Sequence, residues 1–182
     1  MRGSDTGAFF EGWQRVSIEI TNRCNFDCLF CPSGIGERPK EDMPRELAFD
    51  ILAQLNAMGF TGSLYLHVLG EPLLQPDVFT IRNRAADLGM RPIIFTNGGA
   101  LSEDGVAEIL SSKACELVIS MQTINRRSYE RLRSASFDWN ASLGRIQTAQ
   151  LNWKKPPLWT ALIIGRSCGE SIFRHRWPPW RH

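Results

Sequence analysis

The sequence predicts an α/β fold in which parallel strands alternate with helices, and three observations carry that prediction. Short apolar runs of strand character recur along residues 16–151, each followed by a stretch with helical periodicity. The segments that close the runs are rich in glycine, proline, asparagine or serine. Those same segments hold most of the residues able to do chemistry, and a parallel sheet gathers such residues at the carboxyl ends of its strands. Right-handed crossovers wind such units either flat, with helices on both faces, or into a barrel.

The elements follow in order. Val16–Ser17–Ile18–Glu19–Ile20 alternates with a period of two, as a half-buried strand does. A cysteine-bearing loop comes next. Asp42 and Pro44 then mark a helix start, Leu47, Ile51, Leu55 and Met58 form its apolar stripe, and Gly59 supplies the stop. Leu64–Val68 is the second strand. A helix begins near Pro76, presents Val78, Ile81, Ala85 and Leu88 on one face, and ends at Gly89. Ile93–Phe95 is the third strand, followed by a helix capped by Ser102 with Val106, Ile109 and Leu110 as apolar positions. Leu117–Met121 is the fourth strand, a helix follows from about Asn125, and another spans Trp139 to Leu151. Leu162–Gly165 is a candidate fifth strand, so four to five strands are expected.

Three regions result: a lead-in over residues 1–15, the α/β core over 16–151, and an atypical tail over 152–182. Four of the six tryptophans lie in that tail, which shows no amphipathic period. It reads as a truncated or frame-disrupted end. Coding DNA that continues an intact barrel sequence in another frame would be the sign of it.

Composition excludes several classes. With 182 residues and 43% hydrophobic content, the chain can bury a real core. A formal net charge of +2, with basic and acidic residues interspersed, gives no footprint for nucleic acid or any other polyanion. Met1 to Gln14 lacks the apolar run of a secretory signal, and the longest apolar stretch, Leu158–Ile164, is too short to span a bilayer. The expected compartment is the cytosol, with no membrane partner.

Five cysteines are an odd number, which argues against a disulfide framework. Cys24, Cys28 and Cys31 fall within eight residues, with the spacing C-x3-C-x2-C, and such a cluster in a reducing compartment binds metal. Three thiolates hold three irons of a cubane and leave the fourth iron without a protein ligand. A ferredoxin closes its cluster with four cysteines because it only passes electrons. An open iron leaves a place for a substrate, as a catalytic zinc does. A structural zinc site is the alternative, but no second C-x2-C pair is present, and Cys115, Cys168 or His67 would have to converge from elsewhere. Cys115 reads as a small buried hydrophobe, His67 as a core or rim histidine, and Tyr129 with its preceding arginines as part of an exposed helix.

The strand ends supply an internal test. The cysteine loop follows the first strand, Gly70–Glu71–Pro72 the second, Thr96–Asn97–Gly98–Gly99 the third, and Ser120 and Gln122 close the fourth. Taken singly, Gly70–Pro72 and Asn97–Gly98 are ordinary turns and Ser120 a cap. All of them fall on one rim.

With these residues in view, residues 17–133 resemble the radical S-adenosylmethionine superfamily, whose C-x3-C-x2-C motif carries an aromatic residue before the last cysteine, here Phe30. The resemblance implies a partial TIM-like (β/α) barrel. It implies that Cys24, Cys28 and Cys31 ligate a [4Fe–4S] cluster whose open iron chelates the methionine end of S-adenosylmethionine. Phe30 looks like the residue beside the adenine, and Gly70 with Glu71 like the turn that receives the cofactor's ammonium. The family often has two glycines before the glutamate, and here the first place is Leu69. Ser120 corresponds to a hydroxyl near the ribose or carboxylate, assisted by Gln122. Thr96 and Asn97 border the same cavity, and Arg133 sits where some relatives direct a basic residue to the carboxylate.

The implied reaction is reduction of the cluster by an external one-electron donor such as a flavodoxin or ferredoxin. Reductive cleavage of the cofactor to a 5′-deoxyadenosyl radical follows, and that radical abstracts hydrogen from an unassigned substrate. Relatives also carry I-x-G-x-x-E on the fifth strand. Ile163–Ile164–Gly165 begins like it, but Cys168 holds the glutamate position and Glu170 comes two residues late. An incomplete barrel is expected, with a non-catalytic Fe–S or zinc-binding fragment as the second reading.

Overall fold

Apolar residues two apart must share one face of a strand, so each strand of this chain has one face committed to a core. The computed structural model describes residues 13–34, 37–111, 116–121, 125–133, 138–141, 143–144 and 147. Within them the elements run β1 (Arg15–Ser17), α1 (Arg45–Ala57), β2 (Ser63–Tyr65), α2 (Val78–Asp87), β3 (Arg91–Thr96), α3 (Glu103–Ser111), β4 (Glu116–Ile119) and α4 (Arg126–Leu132). The four strands form one parallel sheet in the order β1-β2-β3-β4.

That order decides between the two windings. A doubly wound sheet reverses its strand order at a switch point, whereas crossovers that always step the same way leave every helix on one face. Leu64, Leu66, Ile94, Leu117 and Ile119 join Leu52, Leu55, Ile81, Ala85, Val106 and Ile109 in one core between sheet and helices. Ile93 and Val118, with Tyr65 and Phe95, cluster apart from it on the other face. This is the layout of a barrel wall: helices outside, a second face turned inward.

Helix stops are written locally. Gly59 and Gly89 adopt φ of 77° and 80°. Behind them Phe60 N–H donates to Leu55 O at 3.0 Å, and Met90 N–H to Ala85 O at 3.1 Å. These are Schellman closures, each followed by a buried apolar residue that leads the chain into its next strand. Ser102 caps α3 by accepting from Gly105 N–H at 3.0 Å, and Asn125 caps α4 by accepting from Ser128 N–H at 3.0 Å.

Two expectations need correction. The buried stripe of α1 is Ala48, Leu52 and Leu55, and Leu47 is 48% exposed, so the inward face is rotated from the one read off the sequence. The first, second and fourth strands are also shorter than their apolar runs. Ile18 N–H still donates to Tyr65 O at 2.8 Å, but beyond it the chain turns to residues 41–43: Met43 N–H donates to Ile20 O at 2.8 Å, Asn22 N–H to Glu41 O at 3.2 Å, and Thr21 bridges Asp42. Beyond Tyr65, the Leu69 N–H turns to the Glu19 carboxylate at 3.2 Å. The candidate fifth strand, the tail over 152–182, Cys115, Gln122 and Cys168 lie outside the described residues. Residues 139–141, 143–144 and 147 are helical, in line with the expected last helix. Among the described residues no helix is long and apolar enough to cross a membrane.

Candidate functional site

The loop from Thr21 to Gly34 carries the three cysteines, and its shape is set from both sides. On the outside, Thr21 Oγ1 donates to Asp42 Oδ1 at 2.6 Å and Arg23 pairs with Asp42 Oδ2 at 2.8 Å. Lys40 Nζ donates to Ser33 O at 2.6 Å. On the inside the loop meets the turns that end β2 and β3. A Cβ on Gly70 would stand 2.0 Å from Thr21 O, so only glycine lets the two backbones pass this closely. Glu71 N–H donates to Arg23 O at 2.8 Å and closes the contact.

Glu71 holds the rim together. Its side chain is 2% exposed. One carboxylate oxygen accepts from Thr96 Oγ1 at 2.7 Å and from Leu73 N–H at 3.1 Å, and the other accepts from Asn97 N–H at 2.7 Å. Burial pushes its pKa up, and the hydrogen bonds from Asn97, Thr96 and Leu73 oppose the rise. The carboxylate is turned into the fold, where it ties the ends of β2 and β3 together.

Asn97 reaches the first cysteine. Its Oδ1 accepts from Gly99 N–H at 2.7 Å, which fixes the amide orientation. Its Nδ2 then faces Asn25 Oδ1 at 2.8 Å and Cys24 Sγ at 3.7 Å. Burial raises the pKa of Cys24, opposed by a hydrogen bond from the backbone at Phe26. Burial likewise raises Cys28, opposed by the charge of Arg133. Cys31 Sγ donates to Ser33 Oγ at 3.2 Å.

Helix α4 completes the site. Tyr129 is 1% exposed rather than on an outer face. Its hydroxyl donates to Asn97 O at 3.5 Å, and its ring stands edge-on to Phe26 at 6.5 Å and to Trp139 at 4.9 Å. Burial pushes its pKa up to about 12. One turn on, Arg133 is 5% exposed among the rings of Phe26, Phe30 and Tyr129, at 5.7, 5.8 and 5.6 Å. Its Nη2 donates to Ser120 O and, at 2.9 Å, to Ser120 Oγ, while Nη1 lies 3.9 Å from Cys28 Sγ. Leu29 N–H donates to Leu132 O at 3.1 Å, which clamps the loop to the helix end.

The rim thus brings together Cys24, Cys28, Cys31, Glu71, Thr96, Asn97, Ser120 and Arg133 from the sequence candidates, and Tyr129 and Ser33 stand with them. The i, i+4 spacing of Tyr129 and Arg133 was the available signal for α4. Phe30 is 53% exposed at the rim, beside Leu29 at 76%. His67 sits on the inward face, stacked on Phe95 at 4.8 Å and 22°, and burial lowers its pKa.

Among the described residues no three His, Cys, Asp or Glu side chains gather closely enough to hold one metal ion. A cubane asks for a different arrangement, with thiolates at separate corners and polar hydrogens near the sulfurs. The donor set fits that demand: three thiols on one loop, with amide, guanidinium and hydroxyl groups beside them.

Sequential parallel strands with helices on one face, and a cysteine loop at the strand ends, define the class: a partial (β/α) barrel core with a cysteine-lined rim. The chain belongs to the Radical SAM superfamily, whose family model matches residues 18–152. The family works with a [4Fe–4S] cluster and S-adenosylmethionine, and its enzymes draw electrons from external reductants. The chain is 33% identical over 91 residues to an S-adenosyl-L-methionine-dependent 2-deoxy-scyllo-inosamine dehydrogenase of Niallia circulans, which covers 48% of this chain and 36% of that protein. It is 30% identical over 168 residues to a GTP 3′,8-cyclase of Limosilactobacillus fermentum, covering 86% and 48%. Streptococcus suis SuiB bound to S-adenosylmethionine shares the fold, with a TM-score of 0.64 at 20% identity over 78% of this chain and 32% of that one. The chain spans less than half the length of the two curated relatives.

Proposed function

We propose that this chain is the core of a radical S-adenosylmethionine enzyme in which Cys24, Cys28 and Cys31 hold a [4Fe–4S] cluster by three of its irons. The observation that supports it most is the cysteine loop locked to three other site elements at once: Gly70–Glu71, Thr96–Gly99 and the end of α4. Bound there, cluster and cofactor supply a one-electron cleavage of the sulfonium that gives methionine and a 5′-deoxyadenosyl radical for hydrogen abstraction.

The chain's own residues bind and orient. Arg133 and Ser120 offer a cation and a hydroxyl to the cofactor's carboxylate, assisted by Gln122, two residues after Ser120 in the sequence. Gly70 and Glu71 shape the turn beside the ammonium, Glu71 acting through its grip on Thr96 and Asn97. Phe30 covers the adenine. The electron comes from an external one-electron donor, a flavodoxin or ferredoxin, and the setting is the cytosol. The core spans residues 16–151, with 1–15 leading in and 152–182 following.

Anaerobic reconstitution tests this. About four irons per chain, with 5′-deoxyadenosine released on reduction in the presence of S-adenosylmethionine, is the expected result. Stoichiometric zinc without cofactor cleavage would replace the enzyme with a metal-binding fragment. Cys28→Ala abolishes both cluster and cleavage, and survival of either sinks the ligand assignment.

A further inference from the structure

Among the described residues each of the three thiols has one side-chain polar partner, each from a different segment, and Cys24 takes a backbone hydrogen bond at Phe26 besides. Asn97 Nδ2, after β3, lies 3.7 Å from Cys24 Sγ. Arg133 Nη1, after α4, lies 3.9 Å from Cys28 Sγ. Ser33 Oγ, in the short helical turn Pro32–Gly34, lies 3.2 Å from Cys31 Sγ. The free Cys31 thiol donates to that hydroxyl. Once the thiol has lost its proton to a metal, the hydroxyl hydrogen rotates and donates back.

Two of the partners, Asn97 and Arg133, are held in place. Asn97 is oriented by Gly99 N–H on its oxygen and by Asn25 on its other amide hydrogen. Arg133 has Nη2 occupied by Ser120 and its plane confined by Phe26, Phe30 and Tyr129, which leaves Nη1 to the sulfur. Among the described residues, no carboxylate forms an ion pair with this buried guanidinium, and its Nε hydrogen has no partner. The buried Glu71 carboxylate feels its charge without pairing with it, and a buried cation with no directly paired counter-charge is unfavourable. The anionic charge of a thiolate-bound cluster would answer it.

On the reading above that these thiolates hold a cubane, we propose that Asn97, Arg133 and Ser33 form a set of one side-chain donor per thiolate, and that this set raises the reduction potential of the cluster, Arg133 most of all. Reduction transfers one electron from the external donor, which is oxidised by one, to the cluster, whose negative charge grows by one; no bond forms or breaks. Hydrogen donors on the sulfurs stabilise the more negative state, and a full positive charge in a shielded place stabilises it more than a neutral amide or hydroxyl. The cluster is thereby brought within reach of its donor.

The test is a redox titration of the reconstituted chain, followed by electron paramagnetic resonance with no S-adenosylmethionine present, so that any contact of Arg133 with the cofactor plays no part. Arg133→Gln is expected to make reduction about tenfold less favourable, a midpoint lower by about 59 mV for one electron. Arg133→Lys restores most of that shift, because the charge returns. Ser33→Ala moves the midpoint the same way by less. A midpoint unmoved in Arg133→Gln overturns the proposal. Where Arg133→Gln does not take up a cluster, the smaller change Ser33→Ala, at a half-buried position, carries the test, and an unmoved midpoint there overturns it equally. A parent chain that binds no cluster sinks the functional reading beneath, which is a different outcome from a bound cluster with an indifferent midpoint.

Discussion

Close approach rather than reactivity decides what several single residues do here. Gly70 is the sharpest case, since an added methyl would stand 2.0 Å from the Thr21 carbonyl oxygen, and backbone cannot yield as a side-chain tip can. Gly70→Ala is expected to push the β2 turn off the cysteine loop, break the Glu71 to Arg23 hydrogen bond, and destabilise the chain by about 1–3 kcal/mol. Urea unfolding measures the first effect and iron bound after reconstitution the second; a variant equal to the parent in both would show that the contact is dispensable. Leu69 is the counter-example. It stands where relatives often have a glycine, yet its side chain is 36% exposed and its N–H is taken by Glu19, so the turn keeps its shape. The cysteines, Glu71 and Asn97 were legible in the sequence because they follow strands in a fixed order. What Glu71 does with its carboxylate was not legible, because that depends on which donors a neighbouring loop turns toward it.

At the scale of elements, legibility follows how local the determining physics is. The ends of α1 and α2 were readable because Gly59 and Gly89 adopt a left-handed conformation that their own neighbours require. Strand ends were not, because Ile20 and Leu69 hand their backbone groups to segments far along the chain. Helix α4 was misjudged for another reason. Seven residues with the sequence RRSYERL make two turns, too few to show an apolar period, and their buried residue is a tyrosine, with the buried Arg133 just beyond the helix end. That helix depends on its cap, since Asn125 accepts from Ser128 N–H and few apolar contacts compensate. Asn125→Ala is expected to lower stability by about 1 kcal/mol and to raise hydrogen exchange at the Tyr129 and Arg133 amides. Unchanged exchange at both would mean that Tyr129 and Trp139 hold the helix without its cap.

For the whole molecule, the consequence of sequential winding is that one side carries the helices and the site is assembled from segments that meet only at the rim. Cys24, Glu71, Asn97 and Arg133 come from four stretches spread over more than a hundred residues, and the links among them are mostly single hydrogen bonds. A cubane on the three thiolates binds the native arrangement and not the unfolded chain, so its binding energy adds to folding stability. At a loading equivalent to a hundredfold excess over the dissociation constant, the gain is about 2.7 kcal/mol. At roughly 2–4 °C per kcal/mol for a chain near this size, the melting temperature should rise by about 5–10 °C. Anaerobic melting of the same preparation before and after reconstitution checks this, with Cys28→Ala treated identically as the control. A rise in the control as large as in the parent would mean that the added iron stabilises the chain somewhere other than the cysteine loop.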